Sequence, residues 1–187
     1  MKGIIFNVVE QFVDENVGTG AFDDAIDALD LSSNGVFVGP KTYPDEDLLK
    51  IVGYFSERLE LPAFDLVRTV GRFCFPHLAR RFPSFVKGHH HPKPFLLTLH
   101  GVIHVEVRKL MEKTKLPHFS YEDPAPDRLT MYYHSERKLC ALAEGLILGT
   151  GDFFNSPISI SHPECMHKGA DACKLELVFE NGGPDGA

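Results

Sequence analysis

The sequence predicts an α+β fold: helices first, then an antiparallel sheet with one inserted helix. Three observations carry this. Over roughly the first 115 residues apolar side chains recur at i and i+3/i+4; past Pro117 the spacing turns to alternation; and one more apolar helical stretch separates the alternating segments. The expected organisation is a single domain over 1–181, helical to about 115 and helix-plus-sheet from about 116, with 182–187 as a flexible tail.

Ile4, Ile5, Val8, Val9, Phe12 and Val13 form one stripe and predict a helix over 3–16. Glycines at 18 and 20 break it, and a second helix is expected from Ala21 to about Leu29, before the turn cluster at 32–35. Pro44 followed by Asp45 and Glu46 is a helix start with acids at the positive end of the dipole, and the helix is expected over Asp45–Leu59. Pro62 introduces another from Ala63 to about Arg80. Residues 81–92 are punctuated by Pro and Gly, and the contiguous His89, His90 and His91 read as a solvated loop. Phe95, Leu96, Leu99, Val102, Ile103, Val107 and Leu110 predict one helix over 94–112. Strands are expected at His118–Tyr121 and Leu129–Ser135, joined by an Asp/Pro-rich turn, then a helix from about Arg137 to Leu148, then strands near Pro157–Ser161 and Lys174–Phe179.

Composition narrows the function classes. The chain has 187 residues, 43% hydrophobic and 24% charged, with 15 Phe and no Trp, which suits an ordinary globular core filled by Phe. A net charge of −7 argues against a general nucleic-acid binder. No apolar run approaches the ~18 residues of a membrane span. An acid at Glu10 and the lack of a small-residue cleavage site argue against a signal peptide, so a cytoplasmic setting is expected. There Cys74, Cys140, Cys165 and Cys173 suit thiols or metal ligands better than disulfides.

Tyr133, Ser135 and Arg137 stand at i, i+2 and i+4, so on a strand they share one face, with His134 and Glu136 on the other. Three donors converging, one a guanidinium fork, suit an anion with more than one oxygen. Spacing alone equally allows a polar, solvent-facing edge strand. His104 lies on the apolar helix four residues after His100, and by spacing alone it is either a boundary histidine or a metal ligand. Cys74, between Phe73 and Phe75, reads as a small buried hydrophobe. Cys140, His162, Cys165 and Cys173 make a Cys₃His set that suits tetrahedral structural zinc; the 21-residue gap before His162 leaves three unrelated thiols as the alternative, and His167 is a less well matched fourth ligand.

Together these residues resemble the H-NOX family, the haem-nitric oxide/oxygen binding domains of bacteria and of soluble guanylate cyclases, from Met1 to about Phe179. The most specific element is Y-x-S-x-R, here Tyr133, Ser135 and Arg137. The resemblance implies haem b buried between the helical and sheet parts, its propionates held by those three side chains and its iron by His104. It implies that Pro117 presses on and distorts the haem. It further implies zinc at Cys140, His162, Cys165 and Cys173, as in a bacterial subgroup, cross-linking the inserted helix to the last two strands. The implied function is a gas sensor, not an enzyme: nitric oxide weakens the iron–histidine bond, the His104 helix shifts, and a separate partner, a histidine kinase or a cyclic-di-GMP enzyme, reads the change. A zinc-thiolate redox switch with haem as co-sensor is the alternative. A haem enzyme is disfavoured because no distal acid–base pair is visible. Oxygen-binding members carry a tyrosine on the helix after the motif; here Leu142 stands at that position, and Ile5 and Leu146 are expected to line the same apolar side, with Glu144 turned away. Nitric oxide and carbon monoxide are therefore the expected ligands.

Overall fold

The computed structural model describes residues 1–110 and 114–184. Four helices lead: α1 (Gly3–Asn16), α2 (Ala21–Ala28), α3 (Asp45–Arg58) and α4 (Ala63–Arg81). Their inner faces, with Phe6, Val9, Val13, Ile51, Phe55 and Val70, form one apolar core. Fully burying a side chain such as Phe6 or Ile51 stabilises the fold by about 1.5–3 kcal/mol. Asp45, Glu46 and Asp47 occupy the first turn of α3. Asp47 is buried and accepts hydrogen bonds from the Ser32 and Ser33 hydroxyls, which ties the 30s loop to α3.

A short helix, α5 (Pro83–Val86), precedes α6 (Pro92–Thr98), a π-helical turn (Leu99–Ile103) and α7 (His104–Leu110). The continuous helix expected over 94–112 is thus two helices with a widened turn between them; residues 111 and 112 lie outside the described residues. The π turn closes when the His104 N–H donates to the Leu99 carbonyl, five residues back. It contains Gly101, the weakest helix former of the segment.

His91 departs from the expected solvated loop. His90 is exposed, but His91 is buried and caps α6 by accepting from the Lys93 N–H. Its other ring nitrogen is 3.2 Å from both the Gly182 carbonyl and the Ser156 hydroxyl. Lys93 is buried too, its ammonium 2.5 Å from Asp123 and 2.7 Å from the Ala125 carbonyl. Of the expected tail, 185–187 lie outside the described residues.

The sheet comprises β1 (His118–Ala125), β2 (Arg128–His134), β3 (Ile158–Glu164) and β4 (Cys173–Phe179), ordered β1-β2-β4-β3 and antiparallel throughout. Between β2 and β3 lies α8 (Cys140–Phe153). It starts later than expected because residues 135–138 form a turn, with Lys138 at φ 49° and its N–H donating to the Ser135 carbonyl. It also continues through Gly149 and Gly151 instead of stopping at Leu148. A Cβ on Gly149 would come 2.5 Å from the Arg72 carbonyl, so the glycine there permits close packing on α4 rather than ending the helix. The second core lies between the sheet and α8, with Leu129, Met131, Leu175, Leu177 and Ile147.

Candidate functional site

Between the two cores lies a cavity of about 510 Å³, within the roughly 300–1,000 Å³ usual for small-molecule and cofactor sites. Its walls are apolar: Ile4 and Ile5 from α1, Phe75 and Leu78 from α4, Phe82 just beyond it, Leu99, Ile103 and Val107 from the π turn and α7, and Leu142, Leu146 and Ile147 from α8. His104, Pro117, Tyr133, Ser135 and Arg137 also line it. All eight residues that the sequence reading assigned to a cofactor thus border one space. His100 does not line it: the π turn widens the helix between the two histidines, and His100 packs against the His118 ring at 4.2 Å instead.

The polar end is built differently from the strand face that spacing suggested. Only Tyr133 lies on β2; Ser135 and Arg137 belong to the turn that follows. The turn itself brings the three together. The Tyr133 hydroxyl accepts from the Leu139 N–H at 2.9 Å, and the Ser135 hydroxyl accepts from the Arg137 N–H at 3.2 Å. Glu136 points away and is exposed.

Arg137 is held by a residue that the sequence reading took only as a helix-start acid. Its Nε and Nη2 donate to Asp45 at 2.7 and 2.9 Å, a two-pronged pair closing across the cavity rim. The Met1 amine also donates to Asp45, at 2.6 Å. Burial raises the Asp45 pKa, but these hydrogen bonds and charges outweigh it and hold the carboxyl below its ordinary value.

Among the described residues, His104 is the titratable group that α7 and the π turn bring to the apolar wall. Burial lowers its pKa to about 4, against a smaller opposing influence from the Pro117 backbone, so the ring is neutral at pH 7. Its Nδ1 is enclosed with no hydrogen bond of good geometry. A neutral, orphaned imidazole on the wall of an apolar slot, with a guanidinium at the rim, is the donor set haem requires: one nitrogen for iron, apolar faces for the ring and a cation near the propionates. The residues present fit the group.

The cysteines form a second centre. Cys140 at the start of α8, His162 on β3, Cys165 just beyond it and Cys173 at the start of β4 bring their ligand atoms within 4.8 Å of one another. Cys165 Sγ is 3.9 Å from both Cys140 Sγ and Cys173 Sγ; zinc with tetrahedral thiolates at about 2.3 Å spaces them about 3.8 Å apart. His162 Nε2 is buried without a partner, which also fits a metal ligand. Burial, then the neighbouring thiols, raise the Cys140 pKa. His167 is elsewhere, exposed and bonded to the Lys138 carbonyl at 2.7 Å. Cys74 lies in the helical core, and burial pushes its thiol up to about 12. Glu144 is buried but does not line the cavity.

An α+β domain enclosing an apolar slot, with a neutral imidazole on its wall and a charged rim, has the features of a haem-binding domain. The haem-NO-binding family model matches residues 2–162. Among solved structures, an H-NOX protein from S. oneidensis in the Fe(II)NO ligation state is 36% identical, with a TM-score of 0.91, covering 97% of this chain and 100% of that one. The Fe(II) unliganded H-NOX protein from K. algicida is 28% identical, with a TM-score of 0.87, covering 96% and 97%. No curated protein matches the chain. The chain belongs to the haem-NO-binding (H-NOX) family, whose members are haem-based gas sensors. Cys165 and Cys173 lie beyond the span of the family model, so the metal centre rests on the geometry above.

Proposed function

We propose that this chain is a cytoplasmic nitric oxide sensor that binds haem b through His104, also takes carbon monoxide, and regulates a separate histidine kinase or cyclic-di-GMP enzyme. The observation that carries the proposal is the orphaned, neutral His104 on the wall of an apolar cavity whose rim bears Tyr133, Ser135 and Arg137. When bound, haem supplies an iron that takes diatomic gases. The residues do the rest. His104, the first residue of α7, would offer the iron a nitrogen lone pair and so tie α7 to it. Arg137, Ser135 and Tyr133 would hold the haem carboxylates, and Pro117 would press on the ring. Release of His104 would free α7 to move, and a partner that binds one position of α7 better than the other would read that movement. Zinc at Cys140, His162, Cys165 and Cys173 would clamp α8 to β3 and β4 and contribute to folding.

Absorption spectra of the reduced protein before and after nitric oxide test the reading, with His104→Gly as the paired variant. The expected result is a nitric oxide-dependent spectral shift, loss of haem from His104→Gly, and restoration by free imidazole. Full haem retention by His104→Gly without imidazole overturns the assignment.

The 3.9 Å sulfur separations favour one further reading, a zinc-thiolate redox switch with haem as co-sensor: once the metal leaves, Cys165 is near enough to either neighbour to pair with it on oxidation.

A further inference from the structure

Glu144 stands on α8 four residues after Cys140, so the two share one helix face, away from the haem cavity. Its side chain is 5% exposed. A carboxylate buried to that degree persists only where it is paired and hydrogen-bonded. One oxygen is hydrogen-bonded to His162 Nδ1 at 2.6 Å, and the other lies 3.1 Å from Arg68 Nε of α4, an ion-pair contact without hydrogen-bond geometry. The Nδ1 contact determines the rest of the imidazole. With the proton on Nδ1 facing the carboxylate, Nε2 carries the lone pair, and Nε2 is the buried atom left without a protein partner.

We infer that Glu144 is a positioning residue for the metal centre: its carboxylate fixes His162 in the tautomer and orientation that present Nε2 to a thiolate-preferring divalent cation, with Arg68 beside it as a charge partner. The inference rests on the proposed Cys₃His zinc site. Chemistry supports the arrangement from two sides. A histidine ligand whose other nitrogen donates to a carboxylate is a stronger and better-directed donor. Arg68 balances the charge of Glu144, so the carboxylate adds no net charge beside three thiolates that already outnumber the charge of one divalent ion. Without a metal role, Glu144 would be a buried ion-pair partner of Arg68, and His162 would need no particular tautomer.

Zinc titration of the demetallated full-length protein against a chromophoric chelator, with cobalt(II) spectra of the same variants, separates the two accounts. The expected wild-type result is one zinc per chain, sharply weakened by Cys140→Ala, Cys165→Ala or Cys173→Ala and unchanged by Cys74→Ala. Glu144→Ala should weaken zinc roughly 10- to 100-fold and shift the cobalt ligand-field bands. Glu144→Gln, whose amide oxygen still accepts from Nδ1, should recover part of the affinity. Arg68→Ala should lose less than Glu144→Ala. A wild-type protein that takes up no zinc, or cysteine variants that bind like wild type, overturn the metal site and the inference with it. Wild-type zinc binding with unchanged affinity and cobalt spectrum in Glu144→Ala overturns the role of Glu144 alone. Should Glu144→Ala fail to fold, wild-type affinity and spectrum in Glu144→Gln, with Arg68→Ala also unchanged, do the same.

Discussion

Arg137 donates Nε and Nη2 to Asp45 and Nη1 to the Lys115 carbonyl, so its guanidinium is placed before any anion arrives. A placed donor loses less freedom on binding than a free one. Charge-assisted hydrogen bonds contribute about 1.5–3 kcal/mol each, so Arg137→Ala should weaken haem retention roughly tenfold to a hundredfold. Asp45→Asn should weaken it less, by unsettling Arg137 without removing it. Glu136→Ala should leave it unchanged, because that side chain is 86% exposed. Haem transfer to an apo-acceptor protein measures all three, and equal losses from Arg137→Ala and Glu136→Ala would sink the assignment of the clamp. At this scale the sequence displayed the residues that belong to a motif or repeat a ligand type: His104, Tyr133, Ser135, Arg137 and the Cys₃His set. It did not display Asp45, because the pair with Arg137 spans 92 positions and a first-turn acid has a sufficient local reason to be there. His91 and Lys93 were hidden for the same reason: what buries them is the β1–β2 turn and residues 156 and 182, remote in sequence.

Among the elements, α4 and α8 join the two centres. α8 begins with a proposed zinc ligand and carries Leu142 and Leu146 along the cavity, while α4 supplies Phe75, Leu78 and Ala79 to the same cavity. They approach at Gly71 and Gly145. A Cβ on Gly145 would come 2.1 Å from the Arg68 carbonyl and 2.8 Å from the Gly71 Cα, both backbone atoms that cannot swing aside. Gly145→Ala must therefore push the helices apart. Overpacking typically costs about 1–3 kcal/mol; contact with backbone puts this case near the top, a fall in Tm of roughly 6–12 °C for a chain of this size. Thermal unfolding measures that fall, and zinc and haem retention should drop with it, since one helix serves both. An unchanged Tm would mean the helix pair yields more easily than its spacing implies. Helix existence was legible from apolar periodicity, which depends only on which face is buried. Helix interruption was not: Leu96, Leu99, Ile103 and Val107 keep an inward face through the π turn, and the extra residue in that turn leaves the pattern intact.

Across the whole molecule, the fold class was legible because the hydrophobic period turns from helical spacing to alternation near Pro117 and returns to helical spacing for α8 alone, between two alternating stretches. The cavity was not legible from that pattern, since a residue lining an empty space and one packed in a core are both apolar; motif residues located it. The same apolar lining sets the expected gas selectivity. Bound oxygen is polarised and gains from a nearby hydrogen-bond donor, whereas nitric oxide and carbon monoxide depend less on one. Around α8 and α1 the wall is Leu142, Leu146, Ile4 and Ile5. Three of the polar lining residues are placed by their own contacts. Thr150 donates to the Leu146 carbonyl at 2.8 Å, Tyr133 sits at the clamp, and the Tyr43 hydroxyl accepts from the Val38 N–H at 2.6 Å on the Asp45 side. Glu144 is turned to His162 and Arg68. The ferrous protein should therefore bind nitric oxide and carbon monoxide and form no stable oxygen complex in air, as read from absorption spectra. Leu142→Tyr places a hydroxyl on the wall of the slot and should lengthen the lifetime of an oxygen complex relative to wild type. A stable oxygen complex in the unmutated protein would falsify the selectivity argument, because it requires a donor other than Leu142, Leu146, Ile4 and Ile5.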